Sequence, residues 1–206
     1  MKKLLILLQG KAQVGKSTIM SDFETSGYTQ VCAGDLFKCV QAIGMAEFRK
    51  MIQSRGRDYT FDLIRDEKDS LLQKYEIMKQ FPSSFGYKDI EAVRDESITL
   101  AESARLVYPD IWTKGVYMLN PDFTKAIGVA QDAIEREYLQ VHAPDDLEFL
   151  DIQLHCTNQG EEDTRKFFTS DDIQDVNSLG FFSYHYKIEE THEIAAKIMK
   201  LSEALC

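Results

Sequence analysis

Between Leu4 and Met20 the chain reads LLILLQGKAQVGKSTIM: five apolar residues, a glutamine, two glycines each followed by a lysine, and a Ser-Thr pair. An unbroken apolar run from Lys3 to Leu8 predicts a strand buried on both faces, as in a parallel sheet covered by helices. Ser17 to Thr25 then predicts a helix. The stretch GKAQVGKS, Gly10 to Ser17, fits G-x-x-x-x-G-K-S/T and falls between that strand and that helix, the context in which the pattern has its physical meaning. Glycine lets the backbone turn its N–H groups inward toward phosphate oxygens, and the helix that follows aims its partial positive charge at the same anion. On this reading Gly10, Lys11, Ala12, Gln13, Val14, Gly15, Lys16, Ser17 and Thr18 form the nucleotide-binding set. Lys16 reaches the β and γ phosphates of ATP, the Ser17 hydroxyl ligates Mg²⁺, and Thr18 is a second hydroxyl on the phosphate side.

Further along, apolar runs of strand length recur at Thr29 to Ala33, Lys125 to Ala130, Leu147 to Cys156 and Gly180 to Ile188. Helical spacing covers Leu36 to Ile52, Arg55 to Gln80, Ile90 to Val107, a segment starting near Pro109, Asp132 to Val141 and Glu189 to Leu205. Pro82, two serines and Gly86 mark Phe81 to Asp89 as a loop. Strands alternating with helices predict a doubly wound, five-stranded parallel α/β sheet, and the Gly10–Ser17 loop after its first strand makes this a P-loop fold. A single domain over 1–206 is expected, with a helical insertion over 35–120 and a short lid-like loop over 157–179.

Charge narrows the partners. Thirty-four acidic residues against 24 basic ones give a net charge of −10, which argues against duplex nucleic acid as a ligand. Cys32, Cys39, Cys156 and Cys206 lack CxxC spacing, and the four histidines are too dispersed for a metal cluster. The apolar start stops at Gln9 without a small-residue cleavage site, and no other stretch is long enough to span a bilayer. A cytoplasmic protein that meets no membrane is expected, and a homodimer is compatible with this reading.

Several patches resemble the deoxynucleoside monophosphate kinases found mostly in bacteriophages. GKAQVGKST matches their loop, where many members carry Asp at the Ser17 position. AGDLFKCV, Ala33 to Val40, resembles their segment after the second strand, with Leu36 and Lys38 matching. In LAESARLVYPDIWTKGV, Leu100 to Val116, the residues Glu102, Arg105, Asp110 and Trp112 fall at matching spacings, while Leu100 and Ala101 replace a glycine and a threonine. GVAQDAIERE is similar to a family strand ending in Asp-x-Arg: Asp132 matches, and Ile134 stands at the arginine position. The resemblance implies a nucleoside monophosphate kinase-like fold and a kinase that uses ATP and Mg²⁺ to phosphorylate a deoxynucleoside 5′-monophosphate, in host-cell cytoplasm if phage-encoded. It implies Lys16, Arg105, Asp132 and Arg165 as catalytic residues and Asp35, Lys38, Glu102, Arg105, Trp112, Asp132 and Arg136 as substrate contacts.

Each carried-over residue has a plainer reading. Lys38 covers the acceptor phosphate or is a solvated lysine. Arg105 reaches inward as a bidentate fork or pairs with Glu102. Asp132 holds the acceptor sugar or water on Mg²⁺, or caps the next helix. Trp112 and Tyr108 stack on a base or belong to the core. Arg136 replaces the missing arginine at position 134, or the substrate differs. Arg165, helped by Lys166, swings over the γ-phosphate from a lid, or lies in a solvated loop. Two other functions stay open: a kinase acting on a modified base within DNA, and a catalytically silent nucleotide binder.

Overall fold

Parallel strands need long crossover connections, and the alternation of short apolar runs with helices supplies them. The computed structural model describes residues 2–11, 13–107, 109–130, 133–158 and 178–205. Five strands, β1 (Lys3–Gly10), β2 (Thr29–Cys32), β3 (Lys125–Val129), β4 (Leu147–Cys156) and β5 (Ser178–Tyr186), form one sheet in the order β2-β3-β1-β4-β5. Every pairing is parallel. The central strand β1 pairs with β3 from Leu4↔Lys125 to Leu8↔Val129 and with β4 from Lys3↔Leu147 to Gly10↔Leu154. Its position explains its composition: with strands on both sides and side chains alternating between two covered faces, Leu4 to Leu8 are all at most 2% exposed.

Nine α-helices lie among the described residues: α1 (Lys16–Thr25), α2 (Asp35–Ile43), α3 (Met45–Arg55), α4 (Arg57–Asp66), α5 (Lys68–Gln80), α6 (Ile90–Val107), α7 (Ile111–Leu119), α8 (Ala133–Val141) and α9 (Thr191–Leu205). The chain forms two compact units, Met1–Cys32 with Asp122–Cys206, and Ala33–Pro121. None of the helices in the described residues is long and apolar enough to cross a membrane.

The first unit holds the sheet. On one face α1 packs against α9, and Leu4, Ile6, Leu8, Ile19, Phe23, Leu150, Ile152, Leu154, Ile194 and Ile198 share a core. Residues of opposite parity on β4 meet α8: the Arg136 guanidinium lies 4.3 Å from the Phe149 ring centroid and is bonded to Asp151. Helices therefore cover both faces. The architecture is α/β with an all-parallel sheet, compatible with a Rossmann-like or P-loop fold.

The second unit is helical. The single helix expected over Leu36 to Ile52 is two, α2 and α3, broken at Gly44, whose φ of 95° leaves the helical region. The boundary expected between Ile52 and Arg55 falls at Gly56 (φ 84°), and the segment expected as helical from Arg55 to Gln80 splits at Glu67. At Gly44 and Gly56 the positive φ that glycine admits redirects the axis, which a count of apolar period does not register. Leu36, Val40, Ile64, Tyr75, Met78, Val93, Trp112 and Val116 are buried in this unit. A Cβ added at Gly115 would lie 2.9 Å from Leu36, so glycine permits the close approach of α7 to α2. The Phe81 to Asp89 loop contains one 3₁₀ turn, Pro82–Phe85.

Candidate phosphate-binding site

The loop between β1 and α1 lies at the C-terminal end of the central strand, the edge of an open α/β sheet where ligands bind. Two glycines make it possible. Gly10 has φ 148°, and a Cβ there would lie 2.7 Å from the Leu154 carbonyl oxygen of β4. Gly15 precedes α1 in the left-handed region (φ 87°, ψ 12°), and a Cβ there would meet Thr191 at 2.8 Å. Gln13 has a positive φ of 62°, the sole non-glycine of that kind among the described residues. A backbone that turns through the left-handed region twice in three residues curls in the way that anion-binding loops do.

The Lys16 ammonium lies back over this curl. Its Nζ donates to the Gly10 carbonyl at 2.6 Å and to the Lys11 carbonyl at 2.5 Å. The Gly15 carbonyl accepts the first helical bond of α1, from the Ile19 amide at 3.0 Å. Ser17 and Thr18 are exposed on the first turn, while Ile19 is fully buried and anchors that turn in the core. Below the loop, the buried Tyr186 hydroxyl donates to the Val14 carbonyl. Burial, with Cys156 adding, pushes the Tyr186 hydroxyl up to about 12, so it stays protonated as a donor.

This donor set fits a polyphosphate: an ammonium, main-chain amides at a helix start and hydroxyls on the first turn are all complementary to anionic oxygen. The Ser17 hydroxyl is a hard oxygen ligand of the type that Mg²⁺ takes alongside phosphate oxygens. Among the described residues, no group of three or more His, Cys, Asp or Glu side chains could hold a metal ion.

At the same end of the sheet, His155 of β4 and His185 of β5 stack with ring centroids 4.5 Å apart and planes 8° from parallel. Burial, and then the neighbouring His185, lower the His155 pKa below its ordinary value.

The remaining expected site residues fall into three groups. Ala12, Asp132 and Arg165, with Tyr108 and Lys166, lie outside the described residues. In the helical unit Asp35 is buried and draws in two lysines: Lys38 Nζ at 3.0 Å and Lys68 Nζ at 3.8 Å. Lys68 also donates to Asn120 Oδ1 at 2.8 Å. Buried beside these charges, the Cys39 thiol is pushed up to about 12, chiefly by desolvation and then by Asp35. Glu102 and Arg105 are exposed toward the end of α6.

Trp112 and Arg136 are not presented as ligand contacts. Trp112 is 4% exposed, its indole N–H donates to the Ala101 carbonyl at 3.0 Å, and its ring meets Phe37 edge-on at 5.4 Å, so the core reading replaces base stacking. Arg136 is 1% exposed, and its Nε and Nη2 each donate to Asp151 at 2.7 Å. It is an internal brace between α8 and β4 rather than a replacement for the arginine missing at position 134. Reading the sequence missed Lys68, whose charge sits in an ordinary helical pattern, and Tyr186, whose strand parity marks it as inward-facing without indicating what its hydroxyl touches.

No protein-family model matches the chain, and no curated protein sequence matches it.

Proposed function

We propose that the chain is a nucleotide kinase that uses ATP and Mg²⁺ to transfer the γ-phosphoryl group to the 5′-phosphate of a deoxynucleoside monophosphate. The observation that carries this reading is the Gly10–Ser17 loop. It has the sequence pattern of a phosphate cradle, it leaves the central strand of a parallel sheet at the ligand-binding edge, and its lysine lies across it.

Phosphoryl transfer asks little covalent chemistry of the protein, so the side chains act by position and charge. The loop amides and the start of α1 hold the polyphosphate. Lys16 leaves the Gly10 and Lys11 carbonyls for the β and γ oxygens, exchanging neutral acceptors for anionic ones, which form roughly twofold stronger hydrogen bonds. Ser17 would hold Mg²⁺, which when bound neutralises charge on the phosphate oxygens. An acceptor phosphate is already ionised at neutral pH and needs no strong general base. Asp35 and Lys38 are carried as acceptor-side contacts by the family resemblance, and Lys68 shares the same buried carboxylate. Glu102, Arg105, Asp132 and Arg165 remain in the proposal through the family resemblance.

ADP release measured with ATP, Mg²⁺ and a panel of deoxynucleoside monophosphates tests the reading. Turnover with at least one monophosphate is expected, and Lys16→Ala should remove most of it, on the order of a hundredfold or more in kcat. A Lys16→Ala variant with an unaltered circular dichroism spectrum and undiminished turnover would refute the assignment. ATP binding without turnover on any monophosphate would identify a silent nucleotide binder instead.

A further inference from the structure

A phosphate loop works through its main-chain N–H groups, and something must hold those groups facing the ligand while the loop is empty. Every described peptide bond is trans, so a carbonyl and the N–H of the next residue point in opposite directions. The Val14 carbonyl points at the Tyr186 hydroxyl, inside the core shared by β5 and α9. The Gly15 N–H in the same peptide plane therefore points away from Tyr186 and away from that core. Gly15 is at φ 87°, the conformation that starts α1, and Thr191 at the head of α9 leaves no room behind it for a side chain.

We propose that Tyr186 is the positioning residue of the phosphate loop: by holding the Val14 carbonyl on the core side, its hydroxyl turns the Gly15 N–H toward the bound phosphate and raises affinity for the polyphosphate itself. The inference rests on the nucleotide-binding reading above. Tyr186 is 3% exposed, and its ring packs among the residues that also bury Val14 and Ile194, so ring and hydroxyl have separable roles. The ring fills the core, and the hydroxyl fixes one peptide plane. Without it a rotation of the Val14–Gly15 peptide meets less resistance, and the binding-competent loop becomes a fraction of the ensemble, which weakens apparent affinity in proportion.

The test measures binding of ATP and, separately, of inorganic tripolyphosphate to the full chain by titration calorimetry, together with thermal melting. Tyr186→Phe keeps the ring and deletes the donor. It should weaken ATP and tripolyphosphate by the same factor, about tenfold, at a temperature where both proteins are folded. A purely structural role would lower the melting point and leave the affinity of the folded protein unchanged. Two further replacements at position 186, 4-aminophenylalanine, which restores a donor, and 4-methylphenylalanine, matched in size without one, keep the comparison decisive if the Phe variant is too unstable. The amino form should bind tripolyphosphate about tenfold more tightly than the methyl form. Equal affinities across each pair would overturn the proposal. A wild-type chain that binds neither ATP nor tripolyphosphate would overturn the nucleotide reading, and this inference with it.

Discussion

Replacing Asp151 by Asn tests whether Arg136 is a core brace or a group held for a substrate. The wild-type pair is bidentate, with two contacts of 2.7 Å between side chains only 1% and 2% exposed, and the guanidinium lies over Phe149. Asn retains shape and one acceptor but removes the charge that compensates a buried cation. Breaking a buried pair in this way typically costs about 3–5 kcal/mol, against about 0–1 kcal/mol for an exposed pair. With a total stability of about 5–15 kcal/mol, the loss is a large share of the whole. In a chain of this size it corresponds to a fall in melting temperature of roughly 6–20 °C. Urea unfolding followed by circular dichroism measures it. The apolar double replacement Arg136→Met with Asp151→Leu removes both charges of the pair and should recover most of the loss, with the coupling read from the double-mutant cycle. In that double variant the acceptor KM should match wild type. A loss below about 1 kcal/mol for Asp151→Asn would refute the brace, and a large rise in acceptor KM in a folded double variant would return Arg136 to the substrate.

Two other expectations concern the indole and the stacked imidazoles. Trp112 is the sole tryptophan of the chain, so its fluorescence reports one site: emission should be blue-shifted, protected from acrylamide and unchanged on adding acceptor monophosphate. Nucleotide-dependent quenching would restore the stacking role. His155 has a folded-state pKa below its unfolded value of about 6.5, so protonation favours the unfolded chain. Its contribution to stability is complete above pH 6.5 and is lost as pH falls from there toward the depressed folded pKa. Melting temperatures between pH 7.5 and 5 should decline less in His155→Gln than in wild type, and identical slopes would show that the stack has no linked proton.

The legible and the hidden parts of this protein differ in the distance over which their causes act. The buried strand Lys3–Gly10 could be read directly because five consecutive apolar residues satisfy both faces of a covered parallel sheet, whatever their exact neighbours. Helical content between β2 and β3 was equally visible from its period, as was the boundary near Gly56, but the breaks at Gly44 and Glu67 were not, since a single residue leaving the helix can keep the period intact. Among the candidate site residues, those of the loop from Gly10 to Thr18 are contiguous, and the pattern carries them together. Lys38 and Trp112 each had two readings, because spacing along a helix tells which side chains share a face and not what that face meets.

Taken alone, the sequence determined the class of sheet, the alternation of strands with helices and the glycine-bounded loop with its lysine, all consequences of local sterics and of two short periods. Tertiary structure alone decided that Arg136 binds Asp151, 15 residues away, and that Tyr186 holds Val14, 172 residues away. The physical reason is that period places a side chain on a face, while its partner depends on strand order and register. Those are settled by which long-range pairing of β1 with β4 and of β4 with β5 buries the most apolar surface at once.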